Sequence, residues 1–515
     1  MKTQIQRTSI AWLISSLVLL CLWSIAGCSQ GGTEIPQENS PIPPSQTFTA
    51  SPTSEVTPRD LPTTTPEIEL SPTPAVVHKP QYEIHADLDY SLHRVRVDES
   101  VVISQPADST LTEISLAVPA NNWPGVFSLE QVAAGSHAVE SYQLNDVVLT
   151  LKFTEPYWQP GETLELDFSF TIDLPRVNAQ VGYGPSAFGY TELATNLVDW
   201  YVMVPPYQDE TGWLIHDPWI FGEYLVYPAA DFEISLSLDS SGLIVAASSI
   251  PVSEHGPLQY ELENARNFGF SISSSYTVLE GEVNGVQVLG YIYPGYQVPG
   301  QAAFDATLEA LDLYQRLYGP YQQSSLSMIQ ADFNHGVEYE GLYFLSRGFF
   351  DSYSGSEDSY LIAIAVHETA HQWWYGQVAN DQALEPWLDE ALCTFSELAY
   401  YEHLHPESLD WWWAVRVDYY QPFGRLDRSI YGFTQFADQY LEYRNATYLQ
   451  GAKFFSQLKT VMGEDAFYNF LSRYAFLYKD EIVSGEDFFR LLGDYLDLNN
   501  QAWMEEYFPE IHQEE

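Results

Sequence analysis

Two histidines and a glutamate lie close together in the pattern His-Glu-Thr-Ala-His at positions 367–371. An unbroken apolar run, 361–366, precedes them, and no Gly or Pro interrupts residues 360–375, so the sequence predicts a buried helix. Residues four apart on a helix lie one turn above each other on the same face, which lets both imidazoles reach one ion. Glu368 lies about 100° round the helix from His367, a better position for a base beside an activated water than for a third ligand.

Zinc in a catalytic site takes three protein ligands and keeps one position open. Eighteen residues separate His371 from Glu390, and Pro386 suits the first turn of a helix that would carry Glu390 near its start. The sequence therefore predicts one Zn²⁺ ion held by His367, His371 and Glu390. Glu397, seven residues after Glu390 on the same helix face, is a candidate to orient a zinc-bound histidine or, equally, a solvated carboxylate.

These residues resemble a known family. His-Glu-Thr-Ala-His-Gln-Trp-Trp at 367–374, followed by Glu390 within Trp-Leu-Asp-Glu-Ala, looks like the gluzincin metallopeptidases of the aminopeptidase N and leukotriene hydrolase family. The resemblance covers roughly residues 200 to 515 and is strongest between 330 and 480. It implies a thermolysin-like α+β catalytic domain, a zinc cofactor, peptide substrates and Glu368 as the general base.

A second match lies upstream of the predicted zinc helix. The family carries a Gly-x-Met-Glu-Asn-type strand there, which binds the substrate's N-terminus and backbone. This chain has Gly336-Val337-Glu338-Tyr339, in which Gly336 and Glu338 fit the pattern while Val337 and Tyr339 depart from its commonest form. The resemblance thus implies that Gly336 and Glu338 bind substrate.

A third match is Tyr448, in Tyr-Leu-Gln-Gly-Ala at 448–452, where Gln450 replaces the family's Lys. The resemblance implies that its phenol hydrogen-bonds the developing oxyanion. The family's additional Gln or Glu that contacts the N-terminus has no secure counterpart in residues 190–201. With 67 residues after Tyr448, the sequence resembles a member shortened at its C-terminus.

We therefore expect a zinc-dependent metallopeptidase that hydrolyses peptide bonds by a zinc-activated water and removes N-terminal residues outside the cytoplasm. One alternative is a membrane-tethered endopeptidase on the same zinc site. Another, from a different class, is a non-catalytic surface binding lipoprotein. Peptides that carry a free or a blocked N-terminus would separate the first two, and metal analysis would separate both from the third.

The first 28 residues have the features of a bacterial lipoprotein signal peptide. Lys2 and Arg7 precede an apolar region, 10–25, and Ala26-Gly27-Cys28 resembles the cleavage box. We expect Cys28 to carry the lipid that anchors the protein to a membrane of the bacterial cell envelope. Residues 29–78 are rich in Pro, Ser and Thr and predict a disordered linker.

Two folded domains follow in the prediction. Residues 79–280 alternate apolar and polar side chains in short runs, which predicts an antiparallel, sandwich-like β domain. Residues 281–515 predict the thermolysin-like zinc peptidase domain, with strands at 286–292 and 326–331, a helix at 301–317 and mainly helices after 359. The net charge of −50 excludes nucleic acid as a natural partner. The sequence leaves the oligomeric state open.

Overall fold

The computed structural model describes residues 79–177, 187–253, 256–334, 336–433 and 437–509. The predicted signal peptide, the linker and Cys28 lie outside these residues. No helix in the described part of the chain is long and apolar enough to cross a membrane.

An N-terminal β domain comes first, as its period-two pattern predicts. Along β1, exposed and buried residues alternate strictly over eight positions, which puts one face of the strand in the core. The main sheet has six strands in the order β14-β12-β1-β2-β7-β4, beside a four-stranded sheet, β13-β15-β9-β8, and a three-stranded sheet, β3-β6-β5. The strands are β1 Gln81–Asp89, β2 Arg94–Ser104, β3 Glu113–Ala117, β4 Phe127–Ala133, β5 Val139–Asn145, β6 Val148–Phe153, β7 Thr163–Asp173, β8 Gly189–Tyr190, β9 Thr195–Leu197, β10 Tyr207–Gln208, β11 Gly212–Trp213, β12 Ala230–Leu238, β13 Ile244–Ala247, β14 Leu258–Ala265 and β15 Phe270–Ser273.

One pair in this domain departs from the antiparallel pattern. β1 and β12 run parallel, with Gln81 opposite Asp231 and Leu88 opposite Leu238. Parallel strands cannot be joined by a tight hairpin, and here about 140 residues of chain lie between the two. Local alternation fixes which face of a strand is buried, but it carries no information about such a distant partner.

The C-terminal, mainly helical domain opens with a five-stranded mixed sheet in the order β16-β17-β18-β20-β19. Its first strand begins at Thr277, and β19 forms one edge. Helices then dominate, as predicted. The elements are β16 Thr277–Val283, β17 Val286–Ile292, α1 Gln297–Tyr318, β18 Ser325–Gln330, β19 Val337–Tyr339, β20 Leu342–Leu345, α2 Arg347–Asp351, α3 Tyr360–Ala370, β21 Ala379–Asn380, α4 Trp387–Leu404, α5 Leu409–Trp411, α6 Ala437–Arg444, α7 Gly451–Met462, α8 Glu464–Leu477, β22 Ile482–Val483 and α9 Gly485–Leu492.

Two stretches of π-helix interrupt the helical part, at Trp412–Val417 and Asn445–Gln450. A π-turn is wider than an α-turn and is frequently found at functional sites. The second stretch contains Tyr448. The local signals for the remaining helices are ordinary ones: Gly463, at φ 81°, separates α7 from α8, and Ser484 with Asp487 forms a capping box at α9.

Candidate active site

α3 and α4 bring the three predicted ligands together. The imidazole centroids of His367 and His371 lie 4.9 Å apart, one helical turn from each other. Helix α3 is shorter than predicted and ends at Ala370, but His371 keeps helical backbone angles as the C-cap and stays on the same face. Glu390 lies in the first turn of α4, and its Oε2 is 3.2 Å from His367 Nε2 and 3.6 Å from His371 Nε2.

Both imidazoles are oriented through their other nitrogen. His367 Nδ1 lies 3.0 Å from Glu397 Oε1, and His371 Nδ1 lies 3.1 Å from the carbonyl oxygen of Trp374. A carbonyl only accepts, so His371 Nδ1 carries a proton, and Nε2 is the nitrogen left to bind a metal ion when the ring is neutral. Nε2 of each ring therefore faces Glu390, and the three ligand atoms lie within 4.8 Å of one another.

A second group with metal-ligand spacing, Glu338, His371 and Asp389, shares His371 with the first. One lone pair on His371 can serve only one ion. Asp389 already accepts hydrogen bonds from the backbone N–H of Glu390 at 2.8 Å and from Gln382 Nε2 at 2.7 Å. The group of His367, His371 and Glu390 is therefore the better metal site. Glu338 and Asp389 do not belong to it.

Glu368 points into the same space. It is 5 % exposed, and its Oε2 has no hydrogen-bond partner among the described residues. Gly336 faces it so closely that a Cβ there would overlap Oε1, which explains a glycine at this position. Burial raises the pKa of Glu368 to about 8, against the opposing effect of the two histidines. An unpartnered, buried carboxylate beside three ligand atoms fits a zinc site with a general base.

Tyr448 approaches from the second π-helix. Its hydroxyl donates a hydrogen bond to Glu390 Oε1, and its ring lies parallel to that of His367 at 5.9 Å. Gly451, at the start of α7, contacts α4 so closely that a Cβ would overlap Ala391. The glycine in the Tyr-Leu-Gln-Gly-Ala pattern thus lets α7 close onto α4, which brings the phenol to the ligands.

Glu338 lies on the edge strand β19 and is 6 % exposed. Its Oε1 accepts a hydrogen bond from Gln382 Nε2 at 3.1 Å. Burial raises the pKa of Glu338, and the negative charge of Glu390 adds to that effect. The nearby His371 works to lower this pKa, and a cationic group of a ligand would stabilise the carboxylate further.

Sequence reasoning missed Glu223, which reaches the site from the β domain. Burial raises its pKa well above the usual value, and the nearby charges of Glu338, Glu390 and Asp389 raise it further. The turn before it, at Gly222 with φ 70°, packs against Ile430 and Tyr443 of the helical part. The only local signal was an acid inside the mainly aromatic and aliphatic stretch 219–227.

Sequence reasoning also missed Arg416, which lies behind the ligands and binds Glu397. Glu397 is fully buried, so of its two sequence interpretations the solvated one is wrong. Cys28 lies outside the described residues and stays a prediction.

Protonation couples to metal binding here, which gives a first prediction. Burial alone would lower the pKa of His367, but hydrogen bonds to Glu390 and Glu397 raise it to about 9. Burial works to raise the pKa of Glu390, but His367 and His371 lower it to about 2. At pH 7 the metal-free imidazoles are therefore protonated, and zinc must displace up to about two protons.

We accordingly expect zinc affinity to rise with pH between pH 7 and about pH 9, the range in which His367 loses its proton. Titration calorimetry at pH 7 in buffers of different ionisation enthalpy measures the released protons directly. An unchanged binding enthalpy in all buffers would contradict this protonation scheme.

Comparison with known proteins agrees with this geometry. Residues 302–507 match the peptidase family M1 domain. These residues are therefore similar to the catalytic domain of the gluzincin peptidases of family M1. Aminopeptidase M1-B from Oryza sativa subsp. japonica is 29 % identical over 200 residues, 36 % of this chain. Endoplasmic reticulum aminopeptidase 1 from Homo sapiens is 27 % identical over 233 residues, 42 % of this chain.

The fold of this protein also has solved counterparts. An M1 zinc metallopeptidase from Deinococcus radiodurans superposes with a TM-score of 0.58 over 82 % of this chain and 92 % of its own, at 16 % identity. A mutant form from the same organism, with a TM-score of 0.58 over 83 % of this chain and 93 % of its own at 15 % identity, is bound to a Tyr-Ser-Ala substrate. The two curated relatives are longer, and the match spans 23 % of the first and 24 % of the second.

Proposed function

We propose that this protein is a zinc-dependent metallopeptidase of the M1 type that removes residues from the N-terminus of peptides. One observation carries the second half of this proposal: Glu338 and Glu223 converge beside the ligand set from two different domains. The ligand set alone supports hydrolysis of a peptide bond but does not choose between the end and the middle of a chain.

His367, His371 and Glu390 would hold one zinc ion. A bound zinc ion supplies Lewis-acid polarisation of the scissile carbonyl and lowers the pKa of a bound water. Glu368 is the group that takes the proton from the attacking water, because its unpartnered Oε2 is free to accept one. The same carboxyl then donates that proton to the leaving amine, which completes general acid–base catalysis by one residue.

Tyr448 supplies a neutral donor. Burial raises its pKa well above the usual value, and the charge of Glu390 adds to this, so the phenol keeps its proton throughout the accessible pH range. A carboxylate that shares its lone pairs with a cation accepts hydrogen bonds less strongly. The phenol is then available to the oxygen on which negative charge develops.

The acidic side chains supply the selectivity for a free N-terminus. Glu338 and Asp389 raise the pKa of Glu223, and Glu338 also raises the pKa of Asp389, because like charges lie near one another in a low-dielectric space. A substrate α-ammonium group relieves this repulsion and can donate hydrogen bonds to more than one carboxylate. An acetylated N-terminus offers no such charge, and its methyl and carbonyl groups would leave the acids unpaired.

The direct test compares free-amine aminoacyl amides with N-acetylated peptides of matched sequence. We expect hydrolysis of the free-amine substrates with release of single N-terminal residues. Cleavage of the acetylated peptides at internal bonds, with no attack on the free-amine amides, would instead identify an endopeptidase on the same site. Metal analysis of the purified protein tests the proposed single zinc ion independently.

Glu338→Gln gives a second prediction. The change keeps the shape of the side chain and its contact with Gln382 but removes the charge that attracts an ammonium group. Since a hydrogen bond to a charged group contributes about 1.5–3 kcal/mol, we expect kcat/KM for aminoacyl amides to fall roughly 10- to 100-fold, mainly through KM. Glu486→Gln, at an exposed position on α9, is the matched control. Equal KM values for both variants would remove Glu338 from substrate binding.

We also propose that the protein acts in the bacterial cell envelope, held to a membrane by lipid on Cys28. The support is the sequence pattern of residues 2–28, in which a basic segment, an apolar segment and small residues precede the cysteine. Mass spectrometry of the N-terminal peptide, compared with that of Cys28→Ser, decides the point. An unmodified, uncleaved N-terminus would overturn it.

A further inference from the structure

Glu397 accepts four hydrogen bonds from three side chains. Oε1 accepts from His367 Nδ1 at 3.0 Å and from Arg416 Nη2 at 2.7 Å. Oε2 accepts from Trp412 Nε1 at 3.0 Å and from Arg416 Nε at 2.9 Å. The guanidinium group thus bridges both oxygens in a bidentate arrangement, which fixes the plane of the carboxylate as well as its position.

Because the arrangement is buried, it requires an arginine at position 416. Glu397 and Trp412 are fully buried, and Arg416 is 4 % exposed. A buried guanidinium group is costly unless its charge and its hydrogen-bonding capacity are matched, and the carboxylate of Glu397 provides that match here. Lys could restore the charge but not the fork, because an ammonium group cannot span the two oxygens with the same fixed geometry.

The π-helix at 412–417 contacts the two helices that carry the predicted zinc ligands, α3 and α4. Its wide turn puts Trp412 and Arg416 on one side, where both reach Oε2 of Glu397. The hydroxyl of Tyr360 donates to the carbonyl oxygen of Val415 at 3.2 Å. Tyr360 is the first residue of α3, the helix of the two histidines. The π-helix is therefore joined to both ligand-bearing helices.

We propose that Arg416 is a positioning residue for the metal centre, which fixes the ring of His367 through the carboxylate of Glu397. The inference rests on the zinc site proposed above. Without the guanidinium group, Glu397 would keep one donor on each oxygen and could rotate between arrangements. The imidazole would follow, and Nε2 would no longer be held toward Glu390.

The test uses the full chain and three variants: Arg416→Met, Arg416→Lys and Trp412→Phe. Arg473→Met, at a half-exposed position where Nη2 lies 3.6 Å from Asp494, is the matched control. Zinc dissociation constants come from competition with a chelator, and the visible spectrum of the cobalt-substituted protein reports ligand geometry. Circular dichroism of the metal-free forms shows which variants are folded.

We expect Arg416→Met to bind zinc about 10- to 100-fold more weakly, the range typical for loss of a group that orients a ligand. The zinc affinities of Arg416→Lys and Trp412→Phe should lie between those of Arg416→Met and the wild type. The cobalt spectrum should change, and kcat should fall with KM for aminoacyl amides unchanged, since Glu338 and Glu223 are not touched.

Wild-type affinity and an unaltered cobalt spectrum in folded Arg416→Met would overturn the inference while leaving the proposed function intact. If Arg416→Met does not fold, the same result in folded Arg416→Lys and Trp412→Phe overturns it equally. Failure of the wild-type chain to bind zinc would instead overturn the proposed function itself.

Discussion

Glu368→Gln lowers kcat for aminoacyl amides by about 10²- to 10⁴-fold, the range that a positioned general acid–base group contributes. The amide has the size of the carboxyl but cannot take a proton from water. It is not one of the three ligands, so the variant is expected to retain zinc at the wild-type ratio. Initial rates with saturating substrate and metal analysis of the same preparation measure both quantities.

The stability of this variant separates lost chemistry from lost structure. The Glu368 carboxyl is buried, and its Oε2 has no partner among the described residues, so ionising it in the folded state is unfavourable. A neutral amide removes that cost, and we expect the metal-free variant to unfold at the same or a higher temperature than the wild type above pH 8. Turnover close to the wild-type rate would exclude Glu368 as the base.

The sign of this pH effect follows from the direction of the pKa shift. The unfolded carboxyl loses its proton at about pH 4, whereas the folded one keeps it up to about pH 8. Between these values folding requires the ionised carboxyl to take up a proton, so this group opposes folding more strongly as the pH rises from about 4 to about 8, and the penalty stays constant above about 8. Glu368→Gln lacks this penalty, so the difference between the two melting temperatures grows with pH over that range.

The elements that carry the ligands could be predicted because their determinants are local. Four-residue spacing on an uninterrupted apolar run fixes the relation between His367 and His371, and Pro386 marks the start of the helix that carries Glu390. The end of α3 was placed too far along the chain, at residue 375. The apolar pattern continues there, but the backbone turns at Trp373–Tyr375, so that the Trp374 carbonyl can accept from His371.

The partners that come from distant segments could not be predicted. Glu223 lies 115 residues before Glu338, in a stretch whose composition suggests only a buried loop. Arg416 belongs to a π-helix, whose spacing differs from the 3.6-residue period that reveals helix faces. Glu223 and Arg416 act through contacts between segments that are far apart in the sequence. The parallel pairing of β1 with β12 is of the same kind, and local patterns reveal none of these contacts.

Tyr448→Phe is expected to reduce kcat by about 10²- to 10³-fold, the loss that follows removal of one oxyanion donor. The hydroxyl donates a hydrogen bond to Glu390, and the ring packs nearly parallel to that of His367. Phe keeps that ring contact, so the position of the ligands should persist. KM is expected to change little, because the phenol acts where charge develops and not on the bound amide.

Inhibitor binding discriminates this role from a structural one. A phosphonamidate peptide, whose anionic tetrahedral group mimics the developing oxyanion, should bind Tyr448→Phe about 10²- to 10³-fold more weakly, in parallel with the loss in kcat. A free-amine peptide with a reduced, non-polar isostere at the scissile bond should bind both forms equally. Tyr419→Phe, at a position that is 74 % exposed, serves as the matched control. Equal loss of affinity for both inhibitors would show that Tyr448 supports the site through packing, because only a donor aimed at the oxyanion distinguishes the two.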